Sequence, residues 1–480
     1  MLKLNTLENI IKNYEIYISY YSISYIIFYL VLAILSWTAI KKYYKSKYFL
    51  LKEILVKSNH AIGVSIIAPA FNEEATIVYN VKSLLFQEYP KFEVVIVNDG
   101  STDTTLEKLI HEFSLVKVDF FYQEKIITQT VRGHYKSTNP IYAKLLVVDK
   151  ENGKSKADAS NAGINSAKYG LFVCTDVDCI LRKDTISMLA KPFIENTEKV
   201  IATGAAIRIS NSCEFKDGML YKSHFPDNLF ARFQELEYIR SFLFGRMAWS
   251  KINGLLLVSG GLGMFDKETV IEAGGYWHKS LGEDMELITR MRKLMHEKKE
   301  KFLIIYIPES LCWTEVPASR TVFLRQRVRW ARGLIQTLYL HKNVFFNPKY
   351  GKTGLLVFPY YFFFEFAVPA IEFVGLLVLL LDFLFFKLNY HFLLIGTSFV
   401  YLFYITITLV SVLLDQLIYK HYTGIKEVLI LIVMVFIEPF VFHPLNVYAS
   451  IKGYWHFFNQ KEQNWGTQVR QGFNISTENS

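Results

Sequence analysis

Between Ile16 and Ile40 there are 25 consecutive residues without a charge, IYISYYSISYIIFYLVLAILSWTAI. As an α-helix such a run is about 37 Å long, enough to cross about 30 Å of hydrocarbon. In lipid every backbone donor and acceptor must be satisfied within the segment, which leaves the helix as its conformation. The tyrosines and Trp37 suit interfacial depth, and Lys41, Lys42, Lys45 and Lys47 follow at once. The positive-inside rule then places the N-terminus outside and the residues that follow in the cytoplasm. The run is too long, and lacks the small-residue site, for a cleavable signal peptide.

From about residue 63 the texture is that of a globular α/β domain. VSIIAPA (64–70), FEVVIVND (92–99), AKLLVVD (143–149) and LFVCT (171–175) are short apolar runs, each ending in polar or acidic residues. Runs of this kind read as buried parallel strands, and the intervening stretches as helices. Helix starts are expected at Asn72-Glu73-Glu74 and near Thr102, and within the loop-to-helix stretch 154–167. VIATGAAIRI (200–209) and FLIIYIP (302–308) read as further strands, Phe230–Ser250 as a helix, and VSGGLGMF (258–265) as a glycine-rich loop. The stretch 122–139 has no clear period and reads as a surface insertion. After residue 350, apolar segments at 355–386, 392–414 and 428–442 read as three membrane elements. The first is long for one helix and short for two, and the third is a candidate re-entrant segment. Three spans place the C-terminus outside, whereas Lys452, Lys461 and Arg470 suit an inside tail.

A net charge of +9 with 16% aromatic residues fits Lys and Arg facing an anionic leaflet. No nucleic-acid-binding pattern occurs. Cys174, Cys179, Cys213 and Cys312 form no C-x-x-C pair and have no companion histidines. They read as buried thiols of a reducing compartment rather than zinc ligands or disulfides.

The chemistry-bearing residues cluster at strand ends. Asp176 and Asp178 follow the apolar run 171–174, and alternation along an extended chain points both the same way. Two carboxylates at the carboxyl end of a parallel strand suit a hard divalent cation bearing phosphate oxygens. Taken alone, the pair equally reads as a solvated acidic turn. Asp99 alone reads also as an Asx turn or a helix cap. Gly282-Glu283-Asp284 opens an amphipathic helix, where acids are common for electrostatic reasons alone. Gln326, Arg329 and Trp330 share one helix face at i, i+3, i+4. Arg325, Arg327 and Arg332 are then expected to face lipid headgroups, as on an interfacial basic helix.

In this order, P-A-F-N-E at 69–73, N-D-G-S-T-D at 98–103, K-A-D at 156–158, D-V-D at 176–178, G-E-D at 282–284 and Q-R-V-R-W at 326–330 resemble the family 2 inverting glycosyltransferases. The likeness runs from Val64 to Trp330. Q-x-x-R-W narrows it to the membrane-embedded processive synthases of the cellulose, hyaluronan and poly-N-acetylglucosamine type. The resemblance implies a GT-A fold, an α/β Rossmann-like domain with a mostly parallel sheet, held between transmembrane helices. Its implied divisions are an N-terminal segment 1–15, a membrane helix 16–40 and a cytoplasmic catalytic domain 41–315. Interfacial helices 316–353 with Q-x-x-R-W, membrane helices 354–450 and a tail 451–480 follow.

The implied roles are specific. Pro69, Ala70, Asn72, Glu73, Asp99, Lys156, Asp158, Asp176, Gln326 and Arg329 hold the nucleotide of a UDP-sugar. Asp176 and Asp178 hold Mg²⁺ or Mn²⁺. Asp284 is the general base, and Glu283 positions it or caps the helix. Gly260, Gly261 and Trp330 line the acceptor site. The implied activity is inverting, processive extension of a β-linked polysaccharide from UDP-N-acetylglucosamine or UDP-glucose at the inner membrane, with export through the membrane helices and accessory export subunits as candidate partners. A single-transfer enzyme acting on a polyprenyl phosphate or membrane lipid is the alternative; a transporter or receptor with a degenerate nucleotide-binding module is a third reading. The chain departs from cellulose synthases in lacking, after the last apolar segment, the length for a cyclic-dinucleotide regulatory domain. Its tail stretch NWGTQVRQGF resembles tails of the poly-N-acetylglucosamine type.

Overall fold

In the computed structural model, residues 2–45, 61–216, 219–385, 390–419, 422, 424–460 and 474–475 are described. Lys47, Lys461, Trp465, Gly466 and Arg470 of the sequence reading, with the stretch 464–473, lie outside them.

The centre is a ten-stranded sheet. Its strands in chain order are β1 (Val64–Ala70), β2 (Phe92–Asp99), β3 (Leu115–Val118), β4 (Val131–Ser137), β5 (Leu145–Lys150), β6 (Leu171–Thr175), β7 (Ile180–Leu181), β8 (Lys199–Ile209), β11 (Leu262–Asp266) and β12 (Phe302–Thr314). A separate hairpin, β9 (Glu214–Lys216) and β10 (Met219–Lys222), pairs through β9 with Asn474–Ile475. The order across the main sheet is β3-β4-β5-β2-β1-β6-β11-β8-β12-β7. β5, β2, β1 and β6 are parallel neighbours, and β11 runs antiparallel between β6 and β8. The fold is therefore mixed α/β with a mostly parallel central sheet.

The apolar runs explain the centre. Val64, Ile66, Ile67 and Ala68 of β1 and Val94 to Val97 of β2 are fully buried, as strands covered on both faces must be. The ladder to β6 stops at Ile67, two residues before Pro69, which has no N–H to give. Helix Lys156–Ser166 covers β1 and β2, and Ser155 caps it by accepting from the Asp158 N–H at 3.2 Å.

Four local expectations need correction. Residues 131–137, expected in a surface insertion, form β4 and pair with β3 and β5. VRGHYKS has polar residues on both faces, so its period is hard to see, yet His134 is buried against the sheet. The loop expected over 258–265 becomes strand from Leu262. The helix expected from Asn72 starts at Ile77, because Asn72 takes a left-handed φ of 56° and ends the strand in a turn. The second helix likewise starts at Thr105 rather than Thr102.

Among the described residues, three helical runs are long and apolar enough to cross a membrane: Ile11–Lys45, Thr353–Phe385 and Gly396–Tyr419. Ile425–Val441 and His443–Phe458 form a bent pair, 43° apart, that passes the same test jointly. The first C-terminal segment is thus one run, and the bend falls in the third, where Pro444 opens the second half. Several acids in these helices have partners, which offsets their cost in an apolar setting. Glu438 pairs with Arg240 at 3.0 Å, Glu372 with His443 at 2.9 Å, and Glu365 accepts from the Tyr360 hydroxyl at 2.6 Å. Asp415, fully buried, pairs with Arg208 of β8, which also meets Glu235 at 3.1 Å. The Arg208–Asp415 and Arg240–Glu438 pairs tie the apolar helices to the sheet domain.

Candidate active site

The carboxyl ends of β5, β2, β1 and β6 lie side by side, so Lys150, Asp99, Ala70 and Asp176 come to one edge of the sheet. Open α/β sheets bind ligands at that edge. β11 runs the other way and pairs Leu262 with Thr175. The residues just before it, Ser259 to Gly261, therefore arrive at the same edge, beside Asp176. The Thr175 hydroxyl donates to the Gly261 carbonyl at 2.8 Å and fixes that approach.

The turn after β6 closes with Cys179 N–H donating to the Asp176 carbonyl at 3.0 Å. It gathers the carboxylates of Asp176 and Asp178 and the thiol of Cys179, whose ligand atoms all lie within 4.8 Å of one another. That donor set fits a divalent cation. Asp178 is buried and Asp176 half-buried. Lys156 forms an ion pair with Asp176 and donates to the Gly260 carbonyl at 2.8 Å. Burial alone would push the Lys156 ammonium down, but Asp176, with Cys174 and Glu283 adding, holds it well above its ordinary range.

The N-terminus of helix Glu283–Lys298 meets the same glycines. Asp284 Oδ2 accepts from Gly260 N–H at 3.2 Å. A Cβ on Gly260 would stand 3.3 Å from Lys156 Nζ and 3.7 Å from Asp284 Oδ2. On Gly261 it would stand 3.6 Å from Cys179 Sγ and 3.7 Å from Asp176 Oδ2. The two glycines thus leave open the point where Asp176, Lys156 and Asp284 converge. Burial, with the Asp284 charge adding, pushes the Glu283 carboxyl up to about 7. Arg329 and Lys156 work against that rise, so Arg329 lies within electrostatic reach of Glu283.

Helix Arg320–Leu340 reaches the site because glycines let backbones touch. A Cβ on Gly333 would fall 2.7 Å from Gly282 N, and one on Gly453 2.7 Å from the Val328 carbonyl. Gln336 straps the preceding loop by accepting from Leu281 N–H at 3.1 Å. On this helix Gln326 and Arg329 are half-buried and Trp330 is 39% exposed. Arg325 is exposed, but Arg327 and Arg332 are buried and do not face lipid headgroups. Arg327 makes a two-pronged pair with Glu237 at 2.7 and 2.6 Å and stacks 4.3 Å from the Trp330 ring. The helix is covered on both sides, by Leu229–Arg240 and His443–Phe458, which its own period does not announce.

At the other end of the edge, Asp99 and Asp158 share Lys150, each at 2.6 Å. Asp99 also accepts from Gly153 N–H at 3.0 Å. Burial raises the Asp99 carboxyl, against the opposing pull of Lys150. Lys150 is fully buried, and sequence reasoning missed it. Its signal was a lysine closing an apolar strand, LLVVDK. Asn72 joins the two loops of the edge: its side chain accepts from Thr102 N–H at 2.8 Å, and Glu73 N–H donates to Thr105 Oγ1 at 2.9 Å. The structure thus brings Asp176, Asp178, Lys156, Gly260, Gly261, Glu283 and Asp284 to one place, with Arg329 within electrostatic reach of Glu283. Asp99, Asp158, Asn72 and Glu73 form a neighbouring group on the same edge.

The profile described as Glycosyltransferase like family 2 matches residues 60–333. Poly-beta-1,6-N-acetyl-D-glucosamine synthase of Staphylococcus epidermidis is 28% identical over 295 residues, 60% of this chain and 60% of that protein. The Staphylococcus aureus (strain COL) protein of the same name is 25% identical over 315 residues, 65% of each. The chain thus spans less than two thirds of the length of these relatives. Among solved structures, the mannosyltransferase PcManGT from Pyrobaculum calidifontis, in complex with GDP-Man and Mn²⁺, shares the fold with a TM-score of 0.56 at 19% identity. That likeness covers 92% of this chain and 99% of PcManGT.

Proposed function

The chain belongs to the family 2 glycosyltransferases, and from that premise we propose that it is an inverting, processive synthase. It would extend a β-linked polysaccharide from UDP-N-acetylglucosamine or UDP-glucose, with its sheet domain on the cytoplasmic face of a membrane. The observation that carries the reading is the convergence of Asp176, Lys156 and Asp284 on the open space at Gly260 and Gly261. The relationship to enzymes named as poly-beta-1,6-N-acetyl-D-glucosamine synthases supports the polymer product.

In this reading the donor lies along the sheet edge. The Asp99–Lys150–Asp158 group and the Asn72–Glu73 turn hold the nucleoside end, and Lys156 and Arg329 meet the diphosphate. Asp176 and Asp178 would hold Mg²⁺ or Mn²⁺, which when bound neutralises charge on the departing diphosphate. Asp284 takes the proton from the acceptor hydroxyl as that oxygen attacks the anomeric carbon from the face opposite the leaving group. A single base suffices for inversion, unlike the paired carboxylates of a hydrolase. Glu283, kept protonated more readily than an ordinary carboxyl, adds no second full negative charge beside the base. Trp330, held by the Arg327–Glu237 pair, offers a flat face to the acceptor sugar. The product leaves between the membrane helices, with accessory export subunits as candidate partners.

Purified full-length protein in vesicles, given a panel of radiolabelled UDP-sugars with Mg²⁺ or Mn²⁺, tests this. A ladder of polymer from one donor is expected. One discrete lipid-linked product would replace the processive reading with single transfer to a polyprenyl phosphate or lipid. No turnover with any donor would remove both.

A further inference from the structure

The relation of Cys179 to the two aspartates has a consequence for cation selectivity. Cys179 directly follows Asp178, is fully buried, and belongs to the same turn as both carboxylates. Two atoms on one ion, with metal–sulfur near about 2.3 Å and metal–oxygen near about 2.1 Å, lie at most about 4.4 Å apart. The three donor atoms lie within 4.8 Å of one another, so a pair at that limit closes by at least about 0.4 Å to share an ion, and by more at bond angles below about 180°. A second observation places the thiol on the inner side of the site. A Cβ at Gly261 would contact Cys179 Sγ and Asp176 Oδ2 at once, at 3.6 and 3.7 Å, so sulfur and carboxylate oxygen border the same small space. Cys312 stands behind, its thiol directed at the Gly261 carbonyl at 3.9 Å and hydrogen-bonded to the Cys179 thiol, and closes that side with a second sulfur.

We propose that Cys179 is a third protein ligand of the cation site, so that the site takes thiophilic and borderline divalent ions more tightly than an all-oxygen site would. The inference rests on the reading of Asp176 and Asp178 as metal ligands. Mg²⁺ is held by the carboxylates and gains little from sulfur, whereas Co²⁺, Zn²⁺ and Cd²⁺ gain a thiolate bond. On such binding the thiol proton passes to solvent.

The test uses the full-length protein in detergent with Co²⁺ and Cd²⁺ as probes and no sugar donor. Wild type is expected to show a sulfur-to-cobalt charge-transfer band on Co²⁺ addition. Cys179→Ser should lose the band, and Cys312→Ser should keep it. By calorimetry, Cys179→Ser should weaken Cd²⁺ by about tenfold or more while Mg²⁺ changes by less than about twofold. Co²⁺ binding to wild type without the band, or a band that survives Cys179→Ser, overturns the assignment and leaves the carboxylate site standing. Unchanged Mg²⁺ and Co²⁺ binding in Asp178→Asn overturns the carboxylate site itself, and the inference with it. A thermal unfolding scan of each variant separates loss of the ligand from loss of the fold.

Discussion

Two glycines in one short stretch make different demands, and substituting each by alanine separates folding from chemistry. At Gly263, in β11, a Cβ would fall 2.5 Å from Val258 and 2.8 Å from Phe265. Both neighbours are buried, so Gly263→Ala overpacks the sheet and should cost about 1–3 kcal/mol of stability. At Gly261 the nearest atoms are Ile207 Cδ1 at 3.3 Å, Cys179 Sγ at 3.6 Å and Asp176 Oδ2 at 3.7 Å. Only the flexible tip of Ile207 must give, by a few tenths of an ångström, and the residue is not among those with positive φ. Gly261→Ala should therefore fold with a stability change under about 1 kcal/mol. Its methyl, however, occupies the space beside Asp176 where the cation and diphosphate are proposed to sit. A displacement of about 1 Å at a reacting centre costs about 100-fold, or about 2.7 kcal/mol of barrier. The assay is paired: Tm of the detergent-solubilised protein, and UDP release from the best donor. Gly261→Ala with wild-type Tm and turnover within about threefold of wild type would refute the placement of the chemistry at these glycines.

Two further predictions follow from buried charge. Lys150→Met leaves Asp99 and Asp158 facing each other without their cation, and breaking a buried pair costs about 3–5 kcal/mol. A large fall in Tm is expected, partly restored by adding Asp158→Asn; an unchanged Tm would show that Lys150 is not the keystone of that edge. Glu283 holds its proton more tightly in the folded protein than in the unfolded chain, because burial and Asp284 push it up to about 7. Its stabilising protonation is therefore complete below the ordinary carboxylate range and is lost as pH rises through about 7. Glu283→Gln should gain Tm relative to wild type between about pH 5 and pH 8, and parallel Tm curves for the two proteins would contradict the shift.

The parallel centre of the fold was legible because strands buried on both faces must be continuous apolar runs, as in VVIV and LFVC. β4 was not, because an outlying strand with polar faces carries no such run. β11 was hidden by Gly260, Gly261 and Gly263, which read as loop although the chain becomes strand at Leu262. The aspartates and Lys156 were visible as residues, since strand ends announce themselves where apolar runs stop. Their convergence was not, because it depends on the Gly282–Gly333 contact between two helices and on the antiparallel entry of β11. Lys150 carried no reading, and Arg327 was expected to face lipid headgroups. Both are interior, because partners distant in sequence, Asp99 and Glu237, wait for them. Cys179 read as a plain buried thiol, since nothing in its spacing shows that the turn brings its sulfur within 4.8 Å of the carboxylate oxygens.

The proposed chemistry requires Asp178 to hold the cation and Asp284 to ready the acceptor at one site. Release of UDP by the purified full-length chain, followed with and without Mg²⁺ or Mn²⁺, measures this directly in wild type, Asp178→Asn and Asp284→Asn. Cation-dependent release in wild type that falls at least about 100-fold in each variant, with Tm unchanged, is the predicted result. Release that proceeds at the wild-type rate in Asp284→Asn, or that ignores both the cation and Asp178, would contradict the account.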